Sequence, residues 1–397
     1  MDFSYGEREE GFRRELREWL AANLAEHRRV FPPSDDELTL HPDRSFDSSL
    51  AWHKRMHAGG WVGIHWPKEY GGRGASLIEQ MIFTEELIAA GAPPGVNTIG
   101  LAMVGPAVIR HGTETQRQSW LRAILSADEI WCQGFSEPGA GSDLANLSTR
   151  AIEDGDSFVI SGQKVWTSNA HRSHACILLA LTDLAAPRHR GISCFRVDMQ
   201  SPGITIRPLV QITGDAEFNE VFLDQVRVPK TNLVGAKNAG WKVAITILMY
   251  ERMAVGSTVI LHHYIQRLLA LARRQPRDGG AAADPVLRQE LAQIYLEGRL
   301  LRLTGLRYLT RQLRGEPPGP EGSVLKLALT DTYRKLAEAA TRIVGPYHQL
   351  WKGTDRAPEG GRWAFQALFA LRFGIAGGTT EIQKNIVGER MLGLPKG

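Results

Sequence analysis

Apolar residues in the first third of the chain recur at helical spacing. Phe12, Leu16, Trp19, Leu20 and Leu24 mark one helix face, and Leu77 to Ala90, Val96 to Arg110 and Thr115 to Ala127 carry the same period, broken by Gly-Gly and Pro-Pro steps. Between Ile130 and Gly235 the texture changes. Short runs rich in β-branched and aromatic residues, namely Ser157 to Ile160, Ala175 to Leu181, Gly191 to Val197, Ile204 to Leu209 and Glu220 to Val228, alternate with turn residues and predict a compact antiparallel sheet. After Gly240 the helical period returns. Three long amphipathic stretches, Trp241 to Arg274, Pro285 to Leu313 and Glu321 to Leu350, precede a shorter one from Arg362 to Arg372 and a last one starting near Thr380. That is enough for a four-helix bundle with an added helix. Gln275 to Asp284 and Gly315 to Pro320 read as exposed loops.

The predicted fold is therefore mainly α with a central β domain: an N-terminal helical domain over 1–128, a middle antiparallel β domain over 129–237 and a C-terminal four-helix-bundle domain over 238–397. A length of 397 residues fits two or three domains. Composition changes little: 43% hydrophobic and 23% charged residues describe an ordinary globular protein. The net charge of +4 is small, and no Lys/Arg run is dense enough to propose a nucleic-acid groove. The first residues have neither the basic start nor the apolar stretch of a secretory signal, and no later run is long enough to span a bilayer, so a cytoplasmic protein is expected. Cys132, Cys176 and Cys194 are odd in number and lack CxxC spacing, which points to buried free thiols and no metal site.

Three segments carry candidate chemistry. Ser136-Glu137-Pro138-Gly139-Ala140-Gly141-Ser142-Asp143 packs a proline and two glycines into a turn whose bare backbone N–H groups can meet ligand oxygens. A dinucleotide-binding GxGxxG reading fails, because Leu144 stands at the third glycine position and a sheet pattern follows. Gly162-Gln163-Lys164-Val165-Trp166-Thr167-Ser168-Asn169 ends a strand with an aromatic and two hydroxyls, a flat apolar wall beside hydrogen-bond partners. Gly378-Thr379-Thr380-Glu381 opens the final helix with hydroxyls and an acid, which suits simple capping.

Together with Trp131-Cys132-Gln133-Gly134-Phe135 and Ile382-Gln383-Lys384-Asn385-Ile386-Val387-Gly388-Glu389-Arg390, these segments resemble the acyl-CoA dehydrogenase family over nearly the whole length. The resemblance implies an FAD-dependent enzyme that converts an acyl-CoA thioester to the trans-2-enoyl thioester, passes electrons to an electron-transfer flavoprotein and assembles as a homo-oligomer, a tetramer or dimer. It places Gln133, Phe135, Ser136, Trp166 and Ser168 at the flavin, with Thr167 a further candidate. Gly141 and Ser142 would face the pantetheine arm of the substrate. Thr379 and Glu381 would bring a helix start to the phosphates or polar flavin edge. Arg274, Arg342 and Gly345 match positions that reach the FAD of a neighbouring subunit, although glutamine is commoner in the family where Arg342 stands.

One departure matters most. In the best-known branch of the family the catalytic glutamate stands where this chain has Gly377, and glycine cannot abstract a proton, although its N–H can still bind the thioester carbonyl. Other branches carry their base on the first long helix of the C-terminal domain, followed by arginine. Glu251-Arg252 matches that position, next to apolar Ile245, Leu248, Met249 and Ala254, so Glu251 is the expected base. Consecutive helix residues point apart, so Arg252 need not pair with Glu251 and is either structural or near the CoA arm. Gly377, Ala376 and the small residues of Asn97 to Gly105 leave room for a bulky, branched or long acyl group. Two alternatives remain at this point: a flavin monooxygenase or oxidase of the same superfamily, and a non-catalytic subunit of a heteromeric dehydrogenase.

Overall fold

Helices, then strands, then helices is also the order in a computed structural model that describes residues 5–32, 46–252, 257–274, 284–316, 319–351 and 354–396, with the backbone alone at 251, 252 and 257. Helices α1 (Glu7–Val30), α2 (Phe46–Ala58), α3 (Leu77–Ala90), α4 (Gly105–His111) and α5 (Glu114–Ser126) come first. Strands β1 (Trp131–Gly134), β2 (Arg150–Asp154), β3 (Ser157–Ser168), β4 (Ala175–Leu181), β5 (Ile192–Asp198), β6 (Ile204–Leu209) and β7 (Phe218–Pro229) follow. The chain continues with α6 (Gly240–Arg252), α7 (Ser257–Arg274), α8 (Pro285–Leu313), α9 (Glu321–Val344), α10 (Arg362–Phe369) and α11 (Thr380–Arg390).

Contacts group these elements into two compact units that cut across the three predicted ranges. One comprises Met1–His41, Ala75–Pro93 and Arg252–Gly397, and the other Pro42–Gly74 and Pro94–Glu251. Helices α1 and α3 thus belong with the C-terminal helices. In this unit α1 buries Leu16, Leu20 and Leu24, and Arg8 and Arg17 clasp Glu79 and Glu86 of α3 with paired hydrogen bonds of 2.7–3.0 Å. Ser76 and Glu79 close a capping box on α3, the reciprocal pairing that an S-x-x-E sequence specifies. Helices α7, α8 and α9 pack on one another around Leu261, Tyr264, Leu268, Leu336, Ile343 and Trp363.

The second unit holds the seven-stranded sheet, in the order β1-β4-β2-β3-β7-β6 with β5 on β4. Most pairs are antiparallel, as expected, but β1 and β2 each pair in parallel with β4. Between β1 and β4 the chain forms the β2–β3 hairpin, a connection long enough to bring β4 back parallel to β1. Phe158, Ile160, Phe195, Val197 and Val226 fill its core.

Three predicted boundaries shift. Trp241 to Arg274 is helical over Gly240–Arg252 and Ser257–Arg274, and residues 253–256 lie outside the described residues. Helix α9 stops at Val344, because Gly345 (φ 63°) and Pro346 turn the chain into a short 3-10 segment, and α10 likewise gives way to a 3-10 turn over Ala370–Gly374. Val96 to Arg110 is not one α-helix: Gly100–Val104 form a widened π-turn before α4. There the Trp66 indole donates to the Leu101 carbonyl at 3.1 Å, supplying a bond from outside the helix. Of the predicted loops, residues 275–283 and 317–318 lie outside the described residues. All three cysteines are buried free thiols. No helix among the described residues is long and apolar enough to cross a membrane.

Candidate active site

The end of β1 and the middle of β3 are tied together by the backbone. Val165 N–H donates to the Ser136 carbonyl at 2.9 Å, and the Lys164 ammonium donates to the Phe135 carbonyl at 3.2 Å. The pairing of β3 with β7 slips between Lys164 and Thr167, so β3 carries one extra residue and bulges. Trp166 sits in that bulge at φ 58°, left-handed backbone that a bulky residue adopts only at a cost on the order of 1–3 kcal/mol. Its flanks, Val165 and Thr167, are buried, yet the indole is 59% exposed and touches Phe218 edge-on at 6.0 Å. A large apolar ring held outward in strained backbone beside a glycine-rich turn is what a flat aromatic ligand requires of its wall. Ser136 and Ser168 are half-buried, as is Gln133. Thr167 differs: it is fully buried.

Beneath the turn lies a pair that motif reading passed over. Glu137 and Lys164 are both fully buried and joined at 2.7 Å. Glu137 also accepts from Ser148 N–H at 2.6 Å, the Ser148 hydroxyl at 2.7 Å and Thr149 N–H at 3.0 Å. Burial alone would raise this carboxyl, but the Lys164 charge and these donors outweigh it and hold it down at about 2. Burial lowers Lys164, and Glu137 only partly opposes that. Both residues lie in motifs named above, but only Lys164, within β3 beside Val165, could have signalled a buried charge, since Glu137 stands in the turn after β1. Above the pair, Glu137 and Ala140 exchange two backbone bonds of 3.0 Å to form the turn. A side chain on Gly139 or Gly141 would meet only open space, so the fold itself does not demand glycine at either place. Gly141 and Ser142 are exposed.

The Gly377 turn belongs to the other unit. Gly377 (φ 67°) and Gly378 (φ 89°) are both left-handed, and Thr379 then caps α11 by accepting from Ile382 N–H at 3.3 Å, as its sequence predicts. Glu381 is exposed, and its own backbone N–H and the Thr379 hydroxyl hold its carboxyl below the usual range. Gln383 donates to the Gly377 carbonyl at 2.9 Å, and Lys326 donates to the carbonyls of Gly378 at 2.9 Å and Phe373 at 2.8 Å. Elsewhere in this unit Arg274 ends α7 exposed, Arg342 is exposed and pairs with Glu290 at 2.5 Å, and Gly345 ends α9.

Glu251 and Arg252 are the last residues of α6, and their side chains lie outside the described residues. The helix buries Val243, Ala244 and Ile247, and position 251 follows Ile247 by one helical turn. Ile245, expected among the apolar neighbours of Glu251, is 39% exposed, whereas Leu248 and Met249 are half-buried.

Three family profiles match the chain: Acyl-CoA dehydrogenase, N-terminal domain over residues 6–128, middle domain over 132–226 and C-terminal domain over 238–392. Acyl-CoA dehydrogenase IpdE1 of Mycobacterium tuberculosis is 40% identical over 394 residues, which cover 98% of each chain. A solved structure described as the Tcur3481-Tcur3483 steroid ACAD superposes with a TM-score of 0.85 at 30% identity over 100% of both chains. The ChsE4-ChsE5 complex from Mycobacterium tuberculosis gives a TM-score of 0.83, also at 30% identity and over 100% of both chains. Both solved relatives are named for two different chains, which overturns the expectation of a homo-oligomer.

Proposed function

The chain belongs to the acyl-CoA dehydrogenase family, and from that premise we propose how its residues share the work of an FAD-dependent dehydrogenase acting on bulky or branched acyl-CoA thioesters. The observation that carries the cofactor reading is Trp166, an exposed indole in strained backbone beside half-buried Ser136. The fit is sound: an apolar wall, the hydroxyls of Ser136 and Ser168 and the amide of Gln133 suit a flavin ring, and the open space over Gly139 and Gly141 leaves room for a second ligand arm. Bound FAD supplies the acceptor for the hydride that leaves the β carbon. Phe135, buried under the same turn, holds the wall in place. Thr167, whose buried hydroxyl has no partner among the described residues, stays a further candidate contact.

Glu251 removes the α proton. The Gly377 N–H donates to the thioester carbonyl, where negative charge gathers as that proton leaves. Gly141, Ser142 and Arg252 take the pantetheine and CoA arm. Thr379 and Glu381 at the start of α11 and Arg274, Arg342 and Gly345 serve the phosphate and adenine end of the cofactor. Gly377 and Ala376 leave the acyl end unfilled, and the word steroid in the name of one solved relative supports a ring-bearing acyl group. The working assembly contains a second acyl-CoA dehydrogenase chain of different sequence, a reading supported by the paired names of both solved relatives.

Two measurements test this. The FAD-loaded enzyme, produced with and without such a partner chain, should be reduced anaerobically by a polycyclic or branched acyl-CoA faster than by butyryl-CoA. Preference for butyryl-CoA over every larger thioester refutes the substrate class. Trp166→Gly separates strain from function: it relieves left-handed backbone at a cost in burial that is small for so exposed a ring. The FAD-free variant should melt no lower than the parent. Its FAD affinity should fall by roughly tenfold or more, because an aromatic contact contributes about 0.5–1.5 kcal/mol beyond its buried area. A variant that melts lower yet binds FAD normally makes Trp166 a packing residue.

A further inference from the structure

Gln383 occupies the first turn of α11 and is only 1% exposed. Its amide turns back over the helix start and donates at 2.9 Å to the Gly377 carbonyl and at 3.5 Å to that of Gly378. Its own Oε1 is buried and finds no acceptor role among the described residues. A buried, half-satisfied amide is a poor choice for stability alone, since an apolar side chain of similar volume would fill the space without an unmet polar atom. What the amide does provide is a grip on two consecutive left-handed glycines, the segment of backbone with the most freedom to move.

The grip has a specific geometric consequence. On the near side, Ala376 N–H is bound to the Arg372 carbonyl at 2.9 Å; on the far side, the Gly377 carbonyl is bound to Gln383 and the Gly378 carbonyl to Lys326. The peptide that carries the Gly377 N–H hangs between these anchors, and with the Cα atoms at both its ends held, the planar unit keeps only one rotation, about the axis that joins them. Within this unit no described group accepts from the N–H of Gly377 or Gly378. The side chain also sits hard against the turn: a Cβ on Gly378 would come 2.6 Å from the Gln383 nitrogen.

We infer that Gln383 is a positioning residue: by holding the Gly377 carbonyl it aims the Gly377 N–H at the thioester carbonyl and so sets how strongly that carbonyl is polarised. The inference rests on the role given to Gly377 above. It acts on rate more than on binding, because the carbonyl gains charge on the way to the transition state.

The test uses Gln383→Met, which keeps length and bulk and removes the donor, and Gln383→Asn, which keeps an amide too short to reach. Both are made in the FAD-loaded enzyme with its partner chain. The first readout is the vibrational frequency of a carbon-13-labelled carbonyl in a bound enoyl-CoA, which moves down when a donor polarises it. Both variants should lose most of that downshift and reduce flavin roughly 10- to 100-fold more slowly, a fraction of the loss on deleting an oxyanion donor outright, with acyl-CoA dissociation constants within about threefold. A full downshift with unaltered reduction in either variant that retains FAD overturns the inference. The second readout needs no substrate. Backbone order parameters at Gly377 and Gly378 should fall below about 0.6 in the ligand-free variants while the middle of α11 keeps the rigid value of about 0.85. Unchanged order parameters remove the grip whatever the chain catalyses. Lower order parameters beside a parent enzyme with no carbonyl downshift keep the grip and overturn the catalytic role of Gly377 on which the inference rests.

Discussion

Glu251→Gln should slow flavin reduction by acyl-CoA by roughly 10²–10⁴-fold, the range a positioned general base contributes. The substitution is nearly isosteric and removes only the capacity to accept a proton. FAD content, melting temperature and acyl-CoA binding should therefore stay close to those of the parent. The size of the effect follows from what Gly377 lacks: glycine has no side chain that could take the α proton, so the proposed mechanism leaves that step to Glu251. Helix α6 supports the assignment. It buries Val243, Ala244 and Ile247, and position 251 lies one turn beyond Ile247. Anaerobic stopped-flow reduction with a bulky acyl-CoA is the measurement, and a rate within about fivefold of the parent would mean that another group takes the proton. Restoring an acid at the other position, Gly377→Glu in the Glu251→Gln background, should not rescue the bulky substrate, since the new side chain occupies the space the acyl group needs.

Lys164→Met should be the most damaging change to stability at the site. It leaves the Glu137 carboxylate fully buried with its three Ser148 and Thr149 contacts but no counter-charge. Breaking a buried ion pair from one side costs about 3–5 kcal/mol, on the order of a 10 °C fall in melting temperature for a unit of this size. Intact, the pair contributes far less than that, because burial has already pulled Lys164 below its ordinary range. The double variant Glu137→Gln/Lys164→Met should accordingly recover much of the loss. The acid limb carries a second signature. Glu137 is held at about 2, below its ordinary value of 4.5, so its contribution is complete above pH 4.5 and disappears as pH falls toward 2. Without Lys164 the carboxyl rises, and the acid unfolding midpoint followed by circular dichroism should move to higher pH. Because Lys164 also holds the Phe135 carbonyl, FAD content should drop with stability. A variant that melts like the parent and keeps its acid midpoint would show that the pair is dispensable.

Much of this architecture was legible in local pattern. The helical period of α1, α3 and α5, the β-branched runs of β3 to β7 and the capping hydroxyl of Thr379 are all short-range signals, set by which residues lie three, four or two positions apart. The motif around Trp166 was legible too, as a resemblance. Its physical content was not, because no spacing rule states that β3 gains a residue against β7 and turns the indole outward in left-handed backbone. Thr167 shows the limit from the other side: adjacent in sequence to the exposed Trp166, it is fully buried. Gln383 and Lys326 went unread for the same reason, since their partners in the 373–378 turn become visible only when the turn is folded against α9 and α11.

The sequence by itself determined the order of elements, the family, the FAD chemistry and the absence of an acid at Gly377, because each depends on residue identity or on neighbours a few positions away. Only the tertiary structure decided that α1 and α3 join the C-terminal helices, that β1 pairs in parallel with β4, and that Glu137 meets Lys164 beneath the turn. Those outcomes bring together residues far apart in the chain. Their energies come from burial and charge pairing across that distance, which no local pattern records.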